Sequence, residues 1–373
     1  MNMSHTPARV RDVVSALRRW APERWAEEWD NPGWLVQREE NADADARVIL
    51  SLDPVHPETA RSAGCNLNVC HHPTPFRSLS RIDSDTLSVR LWGMGIDLYA
   101  AHTNLDAAPG GVNDALAALL GLDNVRPLLP CTSARLVKFV TFVPANHLDT
   151  VREAAAVAGA GHIGRYGDCS FSHPGTGTFR PGPATNPFTG TPVGKLEKAA
   201  EQRLEMVVPA HLSDDVVAAV REVHPYEEMA YDLVFLANLD PTVGLGRIGN
   251  LPAPVTLSAF CELVHQRLEC ARISSAGPER EVRTVAVVGG SAGEYHVAAR
   301  NAGADVFLTG EASHHHGLDA RDSGMALVTA GHLATERPVL SAIKSFIERR
   351  FPETPVHITY ETDPWRDYSF APD

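Results

Sequence analysis

The chain has 373 residues, 44% of them hydrophobic and 21% charged. That is too long for one ordinary core and too apolar for a disordered chain, so two or three folding units are expected. Acidic side chains outnumber basic ones, 46 to 33, and the formal net charge of −13 excludes a bulk electrostatic pull on nucleic acid or an anionic membrane.

Apolar residues at helical spacing (Val10, Val13, Val14, Leu17) predict an amphipathic helix over residues 8–20. Asp30-Asn31-Pro32-Gly33 is a turn signal. A strand is expected at 46–53, a helix from His56 to Ala63, and a short strand at 66–73 that ends in Cys70-His71-His72-Pro73. LSVRLWGMG suits a helix closed by Gly95, and residues 96–106 (IDLYAAHTNLD) an apolar strand whose end turns polar. Gly110-Gly111 precedes the helix VNDALAALLGL. Alternating strands and helices at these spacings predict α/β architecture.

The texture changes near residue 135. LVKFVTFVP reads as a strand and HLDTVREAAAVAGA as a helix. A Gly/Pro/Thr-rich stretch from Gly175 to Gly194 has no periodicity and reads as loop. KAAEQRLEMVVPA is a strand, SDDVVAAVREVHP a helix with Ser213 as N-cap, and MAYDLVFLA a strand. This order, close to a split β-α-β unit, predicts a separate ferredoxin-like domain at 136–237. Beyond it the α/β pattern resumes: strands at TVAVVGGSAGE, DVFLTGE, MALVTAGH and PVHITYET, with helices between them and one before the first. The expected organisation is one α/β domain in two similar halves, 1–135 and 238–373, interrupted by the insertion.

The six cysteines (Cys65, Cys70, Cys131, Cys169, Cys261, Cys270) form no C-x-x-C pair and read as free thiols in a reducing compartment. The N-terminus has no signal-peptide core, and no run approaches the roughly 18 apolar residues of a membrane span. The expected location is the cytoplasm.

Four His/carboxylate clusters follow predicted strands, where open α/β sheets place their sites. In the first, Pro73 turns the chain just after His71 and His72, so neighbouring histidines are able to face different ions. In the second, His102 to Asp106, Asp106 offers a carboxylate suited to bridging two cations. His332 and Glu336 in the third are four apart and share one face of a helix. The fourth holds Glu311, His314, His315 and His316. Glu311, His314 and His315 are read as catalytic, facing substrate or supporting the ligands. Each cluster alone has a plainer reading as a surface turn, a cap or an exposed helix pair, but their recurrence points to one metal site. Imidazole and carboxylate without thiolate suit zinc, iron, manganese, cobalt or nickel. Val288-Gly289-Gly290-Ser291-Ala292-Gly293 matches neither a dinucleotide fingerprint nor a P-loop and reads as a tight turn. His224-Pro225-Tyr226-Glu227-Glu228 reads as a proline turn or a loop reaching a site or interface.

With these pieces in place, the chain resembles the Nif-three-like proteins, often labelled GTP cyclohydrolase type-two homologues. The resemblance rests on EEWDNPGWLV (27–36), CHHP (70–73), AAHTNLDAAPGGVND (100–114), VVGGSAG (287–293), ADVFLTGEASHHH (304–316), GHLATE (331–336) and ETDPW (361–365). GHIGRYGDCSFS, GTGTFRP and HPYEEMAYD in the insertion are similar to the extra CutA/PII-like domain of longer members. The chain departs from the family's pattern at Thr74-Pro75-Phe76 and at Trp365. The resemblance implies two divalent metal ions held by His71, His72, Asp106, His332 and Glu336, and a toroidal homohexamer with the sites facing an internal cavity. It also implies a metal-dependent hydrolase of a nucleotide-like or heterocyclic substrate. The alternative is a non-enzymatic metal-handling or regulatory protein.

Overall fold

The computed structural model describes residues 7–76, 80–190 and 194–364. The chain divides into two compact units, residues 1–131 with 241–373, and residues 132–240. The inserted unit is a few residues wider than the expected 136–237, because its first strand begins at Arg135 and its last runs to Leu239.

In the first unit the chain runs α1 (Val10–Trp20), β1 (Gly33–Val36), β2 (Val48–Ser51), α2 (Pro57–Ser62), β3 (Leu67–Cys70), α3 (Leu87–Gly93), β4 (Asp97–Ala100), α4 (Thr103–Ala107), α5 (Val112–Leu119) and β5 (Asp123–Pro130). The insertion carries β6 (Arg135–Val143), α6 (Leu148–Val157), β7 (Ser170–Phe179), β8 (Glu197–Pro209), α7 (Ser213–Val223) and β9 (Tyr231–Leu239). The first unit resumes with β10 (Gly244–Thr256), α8 (Leu257–Leu268), β11 (Ser274–Ala276), β12 (Glu281–Ser291), α9 (His296–Asn301), β13 (Val306–Glu311), α10 (His314–Asp322), β14 (Ala326–Thr329), α11 (His332–Glu336), α12 (Pro338–Arg350) and β15 (Val356–Ile358).

The first unit holds two sheets, ordered β1-β4-β3-β2-β15 and β11-β14-β13-β12-β10-β5. In the first sheet β4, β3, β2 and β15 run parallel, and β1 is antiparallel. In the second, β12, β13 and β14 form the parallel centre. Each sheet borrows an edge strand from the other half of the sequence: β15 joins the first, β5 the second. Central strands are buried on both faces. Val285, Val287, Val306 and Leu308 face one core, while Ala286, Val288, Phe307 and Leu327 face another. Such strands read as continuous apolar runs and leave their C-terminal ends as the place where polar side chains emerge.

The insertion is a four-stranded antiparallel sheet, order β7-β8-β6-β9, with α6 and α7 packed on it through Val151, Ala155, Val216 and Val220. The β-α-β-β-α-β order is ferredoxin-like. Two local expectations fail here. The Gly/Pro/Thr-rich stretch starts inside a strand, β7, at the sheet edge with nearly every side chain exposed, so no buried face imposes an alternating pattern. Ser213 is the first helical residue rather than the N-cap; a 3-10 turn at Ala210–Leu212 precedes it, and its hydroxyl donates to the Ala210 carbonyl.

Two further corrections bear on the site. Residues 103–106 do not extend the strand β4 but form the short helix α4. The single helix expected between MALVTAGH and PVHITYET is two, α11 and α12, with Pro338 opening the second, where its missing N–H costs nothing. No helix among the described residues is long and apolar enough to cross a membrane.

Candidate metal centre

Parallel strands deliver the site. β3 ends at Cys70 and releases His71 and His72. β4 ends at Ala100 and leads through His102 into α4, which carries Asp106. In the second sheet β14 leads to Gly331, whose positive φ of 91° turns the chain into α11 with His332 and Glu336 on one face. β13 ends at Glu311.

His71 is fully buried. Its Nδ1 lies 2.9 Å from the Ala101 carbonyl, which only accepts, so the ring proton sits on Nδ1 and neutral Nε2 carries the lone pair. That Nε2 is buried without a hydrogen-bond partner, 3.7 Å from both Asp106 Oδ1 and Glu336 Oε1. His72 is oriented in a similar way, with Nδ1 anchored and Nε2 turned into the site. Its Nδ1 bonds Asp53 Oδ1 at 2.9 Å, and its Nε2 stands 3.0 Å from Glu336 Oε2 and 3.4 Å from His332 Nε2. His332 Nε2 lies 3.2 Å from Glu336 Oε2, and its Nδ1 faces Glu311 Oε1 at 3.5 Å. Glu336, 5% exposed, therefore turns one oxygen to His71 and the other to His72 and His332. It is the carboxylate that lies between these imidazoles, whereas Asp106 faces His71.

Local sequence makes room for this carboxylate. A Cβ on Gly290 would stand 2.2 Å from Glu336 Oε1. Gly289 and Gly290 thus belong to the end of β12 and are kept bare for Glu336, and the expected turn comes only after Ser291. The Gly290 amide donates to Thr335 Oγ1, fixing the residue before Glu336.

The charges are strongly coupled. Burial works to raise the pKa of Glu336, but His71, His332 and His72 outweigh it and hold the carboxyl well below its usual range. Burial raises Asp106, with His71 and His102 opposing. Burial alone would lower His72; its bonds to Asp53 and Glu336 prevail and push it up to about 10. His71 and His332 rise for the same reason, against burial and with Glu336 beside each. Four imidazoles and two carboxylates packed this closely form a site that wants positive charge.

The donor set fits divalent transition metal. Ligands about 2.0–2.2 Å from a tetrahedral ion stand roughly 3.3–3.6 Å from one another. The separations here, 3.0–3.7 Å, are of that order. Two overlapping groups are close enough to hold an ion: His71, His72 and His102, and His72, His332 and Glu336. An imidazole lone pair buried without a partner is costly unless something electrophilic meets it.

All five proposed ligands converge. Glu311 reaches the rim through His332. His314 and His315 are exposed at the start of α10 and pack edge-on against each other at 5.9 Å, not against the cluster. His316 bonds back to Ser313 to cap α10. Sequence reading gave three of the site's residues no role of their own. His102 is 9% exposed, its ring 5.0 Å from that of His71, and its Nδ1 bonds Asp30 Oδ1 at 2.7 Å. Asp30 also takes the amide and hydroxyl of Thr103. Asp53 orients His72. The signal available for Asp53 was its place just past the end of β2, beside β3. Phe76, where the chain departs from its family's pattern, packs against Trp29 at 5.6 Å and against His102 at 6.0 Å. Trp365 lies outside the described residues.

Comparison with known proteins places the chain in a family. The sequence pattern of Duf34/NIF3 (NGG1p interacting factor 3) matches residues 8–364. A Halalkalibacterium halodurans protein called "GTP cyclohydrolase 1 type 2 homolog" is 41% identical over 344 residues, 90% of this chain and 91% of its own. A Bacillus subtilis protein of the same description is 37% identical over 327 residues, 86% and 87% of the two chains. The solved structure of a Bacillus cereus protein related to NIF3 superposes with a TM-score of 0.83 at 35% identity, covering 96% of this chain and 98% of that one. The chain belongs to the Duf34/NIF3 family.

Proposed function

We propose that this protein holds two divalent transition-metal ions between its two sheets' strand ends and uses them to hydrolyse a nucleotide-like or heterocyclic substrate. The observation that carries this reading is the buried, unpartnered Nε2 of His71, facing Asp106 and Glu336. His71 and Asp106 would hold one ion, and His72, His332 and Glu336 the other, with Glu336 Oε1 turned to His71. When bound, such ions supply Lewis acidity, which acidifies water near neutral pH and polarises a substrate.

The remaining residues fit the same chemistry. The Asp30–His102 pair is a proton acceptor of familiar design: the carboxylate fixes Nδ1–H and leaves Nε2 free to take a proton. Trp29 and Phe76 are 58% and 47% exposed, unusual for such large apolar rings. Both touch His102, at 6.0 Å each, so an aromatic wall abuts the donors where a flat ring would stack. That relatives are described as GTP cyclohydrolase homologues supports a purine-like substrate. A homohexamer with the sites turned inward belongs to the same proposal.

The test is metal analysis on protein purified without chelators, followed by a screen of GTP and related heterocycles. Loaded protein should turn over at least one, and Asp106→Ala should abolish it. Full loading with no turnover in a broad screen would leave a metal-handling protein instead.

A further inference from the structure

The insertion contains a cavity of about 570 Å³ that the metal chemistry does not use. Two sequence motifs without a role in the metal centre meet on it: residues 175–181 (GTGTFRP) on and just after β7, and Tyr226, Glu227 and Glu228 of the HPYEE turn. Its volume lies within the range of small-molecule sites, roughly 300–1,000 Å³.

The walls are organised by a connected set of contacts. His224 is buried; its Nε2 donates to the Phe142 carbonyl at 3.1 Å, and its Nδ1 accepts the Tyr226 amide at 3.2 Å. This holds the Tyr226 ring in place, and its hydroxyl donates to Glu201 Oε1 at 2.8 Å. Glu201 in turn lies where Gly177 has no side chain: a Cβ there would stand 2.2 Å from Glu201 Oε2. The Asn186 amide donates to Glu227 Oε2 at 2.8 Å and ties the facing segment to the HPYEE turn. Phe188 meets Tyr226 at 6.0 Å. Phe142 lies under the guanidinium of Arg203, which is itself ion-paired with Glu205.

We infer that this cavity is a second ligand site, for a flat nitrogen heterocycle that is neutral or cationic. Phe142, Phe188 and Tyr226 offer ring faces for stacking. Glu201 offers a carboxylate oxygen for an N–H edge. Three lining carboxylates, Glu201, Glu227 and Glu228, oppose two lining cations, Arg180 and Arg203, and Arg203 is already paired. That balance disfavours phosphorylated ligands.

Isothermal titration calorimetry on the full chain tests this, with adenine, adenosine, guanosine and cytidine as neutral probes and their 5′-monophosphates as anionic counterparts. At least one neutral probe should bind one per chain with a submillimolar Kd, and its monophosphate at least tenfold more weakly. Tyr226→Phe should weaken binding at least threefold and Gly177→Val abolish it, while His332→Ala leaves it unchanged. If Gly177→Val does not fold, Tyr226→Phe decides. No binding by any neutral probe, tighter binding of the monophosphates, wild-type affinity in Tyr226→Phe, or loss of binding in His332→Ala would each overturn the proposal.

Discussion

His72 Nε2 and Glu336 Oε2 lie 3.0 Å apart although 264 positions separate them in the chain. No local interaction holds this pair. It exists because β3 and β14 end at the same place, and it joins the two halves of the sequence at one carboxylate.

Glu336→Gln should therefore cost more metal than Asp106→Ala. Glu336 faces His71 with one oxygen and His72 and His332 with the other, whereas Asp106 faces His71. Metal analysis should find Asp106→Ala keeping about half of the wild-type content and Glu336→Gln well under half. Equal losses would remove Glu336 from the bridging place.

Metal uptake should release protons. His72 without metal is held up to about 10, so it is protonated at neutral pH, and ligation requires the neutral ring. Affinity should rise with pH across the neutral range. Calorimetry in buffers of different ionisation enthalpy should show at least one proton leaving per chain loaded. Uptake without proton release would show that His72 is not a ligand.

Asp97→Asn should stabilise the protein at neutral pH. Burial pushes this carboxyl from 3.8 up to about 6, with the Asn41 side chain and the Arg38 amide only partly compensating. The folded state thus binds the proton more tightly than the unfolded chain. The penalty for the ionised form is absent below pH 4, grows between pH 4 and 6, and is complete above 6. The gain from asparagine, about 1–3 kcal/mol, should be largest above pH 6 and vanish near pH 4 in denaturation curves.

Arg247→Met should destabilise by about 3 kcal/mol. Arg247 is 2% exposed and grips both Asp114 oxygens, at 2.8 and 2.7 Å, as well as the carbonyls of Gly244, Gly246 and Ala108. Its loss takes the buried cation from Asp114, which keeps only the Gly110 amide, and removes the donor to three carbonyls. Chemical denaturation followed by near-ultraviolet circular dichroism reads the change, and a shift under 1 kcal/mol would show that the pair contributes little.

What the sequence made legible follows from where burial imposes a pattern. Strands such as β3, β4, β13 and β14 are apolar on both faces, so their ends are sharp and the polar residues after them stand out. His71, His72, Asp106, His332 and Glu336 stand out that way, and the fold brings them together. β7 carries no buried face, and β10 combines glycines, prolines and a shift of register, so neither left a readable signal. Asp30 and Asp53 were invisible for another reason. Each is a single acid in a turn, and only the folded chain shows which imidazole it holds. His314 and His315 show the converse: three histidines in a row attract attention, while the start of α10 leaves two of them in solvent.

The pairing of β5 with β10 bears on how such a chain tolerates elaboration. Pro130 and Gly244 are direct register partners, and the Cys131 amide donates to the Val243 carbonyl. The 109-residue insertion, Thr132–Asp240, thus leaves and re-enters through the mouth of a hairpin. A turn of a few residues could close that mouth. Trimmed this way, the remainder should still fold and chelate, making the insertion a detachable module rather than a keystone.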